Sequence, residues 1–334
     1  MLIMKKKLLA AVLAAVLMLG SAVGCSSGSG TSSSSNADNS AKASETGNNS
    51  AASSGKKYKI TLITMDSMDR YWLSVNNGCK TAAAEAGNVE YKWLAPDKKD
   101  DAQQIERVNT AVAENVDAIL IAANGPDAIT SALEDAKSKG VKIIYIDSPA
   151  NTEAEATFAT NNESAGKLAG QQMLAALQKK GKTSGKIGIV NVNSATASTV
   201  AREKGFRSVF DGKGYDILTT QYSDGDTAKS QDIADNYITA GVVGLFGVQE
   251  GCATGVGNAI KSSGKSDLVG VGFDTSDSIY SLIKSNALIC TIAQKPETMG
   301  HDGLLAAVTL LSGGTVKDKN VDTGASVITK DKIQ

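Results

Sequence analysis

Histidine is almost missing from this chain: His301 is the single one among 334 residues. It falls in a helical pattern near the C-terminus, away from any strand end. No Ser–His–Asp order can be assembled, and no Cys/His/carboxylate group has metal-ligand spacing. Cysteine is scarce too. Cys25, Cys79, Cys252 and Cys290 are far apart, so no disulfide framework is announced, and the last three read as buried apolar thiols. Neither charge sign dominates, with 34 Lys and Arg against 35 Asp and Glu. No basic stripe is visible, which argues against a nucleic-acid partner. No Gly-x-Gly-x-x-Gly follows the first strand pattern, and no Gly-Lys-Ser/Thr phosphate loop occurs. Ala253–Gly257 is glycine-rich but lies inside a helical run and reads as close helix packing. These absences leave no catalytic residues, metal or cofactor to expect, and an enzyme is disfavoured.

Long apolar runs are missing as well. The longest, Leu8–Leu19, has 12 residues, and a membrane-spanning helix needs about 20. It follows Lys5-Lys6-Lys7 and precedes small residues, the order of a secretory signal over residues 1–24. Ala22-Val23-Gly24-Cys25 resembles the lipobox of bacterial lipoproteins, with Ala22 in the place of the usual Leu. That resemblance implies cleavage before Cys25 and a lipid on its sulfur, hence an extracytoplasmic, membrane-anchored protein. Residues 25–56 are rich in Ser, Gly, Asn and Ala and carry too few apolar side chains to offset the entropy of ordering. They read as a flexible linker.

From Lys57 onward, apolar runs alternate with amphipathic ones. Strand patterns cover Tyr58–Thr64, Val89–Leu94, Ala118–Ala122, Lys142–Ile146, Thr157–Thr160, Lys186–Asn191, Asp216–Gln221, Val243–Gly247, Leu268–Phe273 and Ile289–Ala293. Helical patterns fall at Leu73–Ala86, Ala102–Ala113, Asp127–Lys139, Ser164–Lys179, Thr199–Asp211, Ala228–Thr239, Ala253–Ser263 and Pro296–Leu311. Ala118-Ile119-Leu120-Ile121 is apolar on both faces, as a parallel strand covered by helices on both sides must be. Alternating βα units give an α/β fold with doubly wound parallel sheets. Ten strands are many for one open sheet, and the two halves echo each other, so two similar Rossmann-like lobes are expected.

Ligands of open α/β sheets sit beyond the carboxyl ends of the strands, which places a site between two facing sheets. The strand ends carry Asp69, Tyr71 and Trp72 after the first strand, then Asp147 and Ser148, then Arg202. Gln249, Asp274 and Gln294 follow. Carboxylates accept from hydroxyls, a guanidinium donates to them, and amides do both. Aromatic rings pack on the C–H face of a sugar. Each residue has a plainer reading too. Asp147 and Asp274 could cap helices, Tyr71 and Trp72 could be core, Asp69 and Gln294 could be solvated turn residues, and Arg202 could lie on a helix surface.

Five segments taken in order resemble the ribose- and galactose-binding type of periplasmic binding protein. They are Asp69-Arg70-Tyr71-Trp72, Ile144-Tyr145-Ile146-Asp147, Arg202–Phe206, Val271-Gly272-Phe273-Asp274 and Thr291–Pro296. The resemblance implies a type I periplasmic binding protein, with two lobes joined by a three-strand hinge and closing on a sugar. It divides the chain into an N-terminal lobe of 57–161 plus 295–322 and a C-terminal lobe of 162–294 plus 323–334. Asp69 falls where ribose binders have Asn and glucose/galactose binders have Asp. Tyr71 and Trp72 fall on two Phe residues that sandwich the ring. Asp147, Arg202, Asp274 and Gln294 match hydroxyl-binding positions, and Gln249 takes the place of an Asn. Ser148 replaces an Arg, and Gly225 replaces a stacking Phe. The expected pocket therefore has spare room, which disfavours ribose and suits a hexose or cyclic polyol. Galactose binders carry a calcium loop; Asp224-Gly225-Asp226 is too short for one.

The resemblance thus implies a monomeric solute-binding protein of an ABC importer, with a sugar or polyol as ligand and a transporter permease as partner. The alternative ligands are a furanosyl signalling sugar, a nucleoside or an amino acid. Sugar-responsive repressors share the two lobes but need a DNA-binding domain where this chain has a signal and a linker.

Overall fold

A computed structural model describes residues 56–333. The expected signal peptide, the lipidation site at Cys25 and nearly all of the 25–56 linker lie outside the described residues.

In the first part of the chain the elements are β1 (Tyr58–Ile63), α1 (Arg70–Ala86), β2 (Val89–Leu94), α2 (Asp101–Ala113), β3 (Ala118–Ile121), α3 (Thr130–Ser138), β4 (Lys142–Ile146) and β5 (Ala156–Ala159). Then come α4 (Asn162–Lys179), β6 (Gly185–Asn191), α5 (Ala197–Ser208), β7 (Tyr215–Ile217), β8 (Gln221–Tyr222), α6 (Thr227–Thr239), β9 (Val242–Gly247) and α7 (Glu250–Ser263). The chain ends with β10 (Val269–Phe273), α8 (Asp277–Lys284), β11 (Cys290–Ala293), α9 (Pro296–Leu311), β12 (Asn320–Asp322) and β13 (Ser326–Thr329).

Two sheets form. One runs β12-β5-β4-β3-β1-β2 and the other β13-β11-β10-β9-β6-β7, with β8 beside β6. All pairings are parallel except β11 with β13. The two orders are the same: β6 and β7 repeat β1 and β2, and β9, β10 and β11 repeat β3, β4 and β5. Each sheet therefore reverses winding once, between β1 and β3 or between β6 and β9, where doubly wound folds place their ligands.

Alternate residues of each strand feed opposite faces. Ile60, Leu62, Leu120, Ile144 and Ile146 pack with α1 and α9, whereas Ile63, Ile119, Ile121 and Ile143 pack with α2 and α3. In the second sheet Ile187, Ile189, Phe246 and Val271 face α4 and α5, while Val190, Leu245 and residues of α6, α7 and α8 share the other core. This two-sided burial explains why the central strands are apolar throughout.

The chain passes between the sheets three times. It leaves the first sheet after β5, returns after β11 into α9, and leaves again between β12 and β13. Gln294 and Lys295 alone separate β11 from α9, and Thr323, Gly324 and Ala325 separate β12 from β13, so these links are short straps.

Sequence patterns and structure differ in four places, the first being β12 and β13, which have no counterpart among the expected strands. The expected strand Asp216–Gln221 is split into β7 and β8. Helix α8 has no counterpart in the expected list; it is only 8 residues long, below the length at which helical periodicity stands out. And α1 starts at Arg70, because Asp69 caps it by accepting from Tyr71 N, so Tyr71 and Trp72 stand on a helix turn. Cys79, Cys252 and Cys290 are free and buried, and burial raises their thiols to about 12, 11 and 12.

Helix α1 crosses α9 at a pair of glycines. A β-carbon on Gly78 would stand 2.0 Å from the Glu297 carbonyl oxygen, and one on Gly300 would stand 2.1 Å from that of Val75. Neither backbone can retreat without separating the helices from β1 and β4. Gly78→Ala is therefore expected to destabilise the protein by about 1–3 kcal/mol. Urea denaturation measures this, and an unchanged midpoint would refute the crossing.

Candidate functional site

The segments that follow β1, β2, β4, β6, β9, β10 and β11 contribute side chains to one cavity. Asp69, Tyr71, Trp72, Asp147, Arg202, Gln249, Asp274 and Gln294 all line it, together with Met65, Lys99, Val192, Thr196, Ser198 and Thr199. The cavity is tight in this closed form, with about 30 Å³ of room. Of the nine residues singled out in the sequence, only Ser148 is off this lining, and it touches one that is on it.

Asp147 and Asp274 occupy equivalent places, directly after β4 and after β10. Both are left-handed, with φ of 64° and 68°, and both are 4% exposed. Asp147 N donates to Phe158 O on the neighbouring strand, and Asp274 N donates to Ile292 O. The final strand bond thus turns each carboxylate back over the sheet end. Neither Asp caps a helix; Ser276 caps α8. A non-glycine residue in this region stores strain of the order of 1–3 kcal/mol, a cost found mostly at functional sites.

Each buried carboxylate has two neutral donors. Tyr71 Oη donates to Asp147 Oδ1 at 2.9 Å and Ser148 Oγ donates to Oδ2 at 2.7 Å. Gln294 Nε2 donates to Asp274 Oδ1 at 2.7 Å, and Glu250 N donates to Oδ2 at 3.1 Å. Arg202 is 2% exposed. Its Nε donates to Asn162 Oδ1, its Nη1 donates to Val248 O, and its Nη2 lies 3.7 Å from Asp147 Oδ1. Its guanidinium stands 4.0 Å over the Phe273 ring, a stacking only a planar cation makes. Burial raises the Asp274 carboxyl to about 6, against the opposing pull of Arg202 and Gln294.

The lobes meet directly across this cavity. Gln249 Nε2 donates to Asp69 Oδ2 at 2.5 Å, while Asp69 Oδ1 caps α1 by accepting from Tyr71 N and Gln249 Oε1 caps α7 by accepting from Gly251 N. Ser148 Oγ lies 2.7 Å from Ser198 Oγ, and Thr196 Oγ1 donates to Asn124 O. The structure is closed.

Two features of the resemblance take a different form here. Tyr71 and Trp72 meet edge to face, with centroids 4.9 Å apart and planes at 85°. Neighbouring helix residues cannot form two facing walls, so this pair supplies one aromatic wall and one hydroxyl rather than a sandwich. Nor does Gly225 open the cavity. It lines the outer cleft, and a β-carbon there would meet Gln249 Oε1 at 3.2 Å and Lys99 Nζ at 3.3 Å.

Lys99 is a charged lining residue that sequence reasoning passed over. Its Nζ lies 2.7 Å from Asp66 Oδ2 and 3.9 Å from Asp69 Oδ2. Burial would lower the Lys99 ammonium, but Asp66 and Asp69 outweigh it and hold it above its ordinary value. Burial likewise opposes the Asp66 carboxylate, and Lys99 with the N–H groups of Met68 and Asp69 keeps it below its ordinary value. The signal was available: the Lys99 loop follows β2, and a strand end is where a site residue belongs. His301 stands elsewhere, between Glu85 and Asp302 on the surface. Among the described residues no group of His, Cys, Asp and Glu is placed to hold a metal ion.

Glu250, the first residue of α7, is the most perturbed carboxyl. Burial, then the charges of Asp69 and Asp274, raise it from 4.5 to about 8. A carboxyl raised by folding stabilises the folded state fully below its unfolded value and loses that contribution as pH climbs to its folded value. Thermal stability without ligand is therefore expected to fall from about pH 5 to pH 8. Glu250→Gln, which cannot ionise, should flatten the upper part of that slope. Scanning fluorimetry at constant ionic strength measures it, and parallel profiles would refute the assignment.

The family model for the periplasmic binding protein domain matches residues 60–315. An ABC transporter solute-binding protein from Agrobacterium vitis with bound D-fucose is 30% identical. It covers 83% of this chain and 97% of its own, with a TM-score of 0.78. A carbohydrate transporter solute-binding protein from Agrobacterium radiobacter in complex with D-arabinose is also 30% identical, covers 83% and 96%, and has a TM-score of 0.79. The ribose import binding protein RbsB of Bacillus subtilis is 28% identical over 272 residues, 80% of this chain and 86% of its own. With β2 through β11 all inside the matched region, the chain belongs to the periplasmic binding protein family.

Proposed function

We propose that this chain is the extracytoplasmic solute-binding protein of an ABC importer and holds one monosaccharide or related polyol in its interlobe cavity. The observation that carries this reading is the pairing of Asp147 with Asp274. Two buried carboxylates, one from each lobe, face a single small cavity whose remaining lining combines hydroxyls, amides, a guanidinium and aromatic rings with Asp69, Lys99 and the apolar Met65 and Val192. Such a lining matches hydroxyls that both donate and accept, and it leaves buried groups unpaired when a hydroxyl is missing. The solved relatives with D-fucose and D-arabinose support the same ligand class. Asp69, Tyr71, Trp72, Asp147 and Ser148 act from the first lobe, Arg202, Gln249 and Asp274 from the second, and Gln294 from the strap after β11.

Closure is the transport signal in this reading. Ligand contacts from both lobes favour the closed arrangement, and a permease reads the lobe surfaces that closure brings together. A diacylglycerol anchor on Cys25, followed by the Ser- and Gly-rich linker, keeps the protein beside its permease. The protein acts as a monomer, with no nucleic-acid partner.

Calorimetric titration across pentoses, hexoses, inositols, nucleosides and amino acids tests the ligand class. A sugar or polyol is expected to bind, and binding of an amino acid alone would sink the reading. Asp274→Ala removes charge-assisted hydrogen bonds worth about 1.5–3 kcal/mol, so affinity for that ligand should drop by about 10- to 150-fold. Unaltered affinity would remove Asp274 from the site. For the anchor, Cys25→Ser should move the protein from the membrane fraction to the medium. Retention in the membrane fraction would show that another segment holds it there.

A further inference from the structure

The glycine crossing of α1 with α9 in the first lobe has a twin in the second, where α5 crosses α4. A β-carbon on Gly166 would stand 2.0 Å from the Arg202 carbonyl oxygen, and one on Gly205 would stand 2.0 Å from that of Glu163. Gly205 on α5 thus repeats Gly78 on α1, and Gly166 on α4 repeats Gly300 on α9. In this register Arg202 takes the place of Val75, and Asn162 takes the place of Pro296. The backbone contacts are the same in both lobes, but the two side chains differ together. The first lobe has an apolar side chain and a proline, the second a guanidinium and an amide.

The guanidinium and the amide are bonded to each other. Arg202 Nε donates to Asn162 Oδ1 at 2.8 Å, and the residues are 2% and 9% exposed. Residues 162 and 166 are one turn apart on α4, so a single face of that helix holds both the carbonyl and the Nε of Arg202. A guanidinium carries five N–H groups in one rigid plane. That plane lies on the Phe273 ring, Nη1 donates to Val248 O, and Nε is taken by Asn162. Rotation of the fork would break at least one of these contacts. The donors that remain belong to Nη1 and Nη2, and Nη2 is the one beside Asp147 in the cavity lining. Asn162 does not line that cavity.

We propose that Asn162 is the positioning residue for Arg202. It touches no ligand, and by accepting from Nε it fixes the edge of the guanidinium that reads the hydroxyls. This rests on the monosaccharide reading above and deepens it. Without the amide oxygen the buried Nε–H is unpaired, which is costly enough to turn the fork toward another acceptor. Asp147 is at hand, and a guanidinium that settles on Asp147 is withdrawn from the sugar.

Two variants separate positioning from packing. Asn162→Ala removes the acceptor, and Asn162→Asp keeps an oxygen in its place. Each is titrated calorimetrically at pH 7 with D-arabinose, D-fucose, D-ribose, D-galactose and myo-inositol, and whichever of these binds the wild-type protein is the probe. Asn162→Ala should weaken it by about tenfold or more, and Asn162→Asp should stay within about threefold of wild type. Wild-type affinity in Asn162→Ala, or an equal loss in both variants, would overturn the proposal and leave the sugar reading standing. Binding of none of the five by the wild-type protein would overturn both. A second readout follows the arginine itself. The chain has only Arg70, Arg107, Arg202 and Arg207, so the side-chain Nε–H signals in a proton–nitrogen correlation spectrum are few, and Arg202→Lys identifies the one from Arg202. That signal should exchange slowly with water in the wild type and in Asn162→Asp, and broaden or vanish in Asn162→Ala. An Arg202 signal unmoved by Asn162→Ala would mean that Asn162 does not hold the guanidinium.

Discussion

A carboxylate buried at the end of a strand is the constraint on which this molecule turns. Asp147 and Asp274 are nearly sealed from water, and a charge in that position survives only with donors around it. The donors come from separate places. Tyr71 is on α1, Ser148 follows β4, Gln294 follows β11, and the Glu250 N–H opens α7. Arg202 reaches Asp147 from the other lobe. The closed arrangement of the lobes, the position of the strap after β11 and the start of α7 are thereby all tied to two side chains.

The fold makes this affordable through repetition. Both sheets follow one strand order, and both place an Asp after the equivalent strand in a left-handed turn. Facing the sheets toward each other brings the two turns to the same cavity. The N-caps of α1 and α7 repeat the theme. Asp69 and Gln249 each secure a helix with one oxygen and meet across the cleft with what is left. A side chain already fixed by its helix loses little freedom when it also contacts a ligand, which favours a rigid, selective site.

Charge in the cleft is partly balanced within the protein. Lys99 lies 2.7 Å from Asp66 and 3.9 Å from Asp69, and Arg202 stands 3.7 Å from Asp147.

The two-lobed α/β architecture was readable from the chain because central strands buried on both faces must be apolar throughout, and the helices between them must be amphipathic. Eight of the nine residues marked at strand ends reach the cavity for the same reason: the carboxyl ends of parallel strands point one way. The linear pattern could not show α8, too short for its periodicity to stand out, or the bend that splits β7 from β8. It could not show that Gly225 faces the outer cleft, or that Lys99 fills the space beside it, since loop side chains are placed by contacts distant in sequence. Pairing is the part that only the tertiary structure decided. Whether a carboxylate meets a hydroxyl, an amide or a cation depends on lobes that come together across many intervening residues, and local propensity carries no record of that meeting.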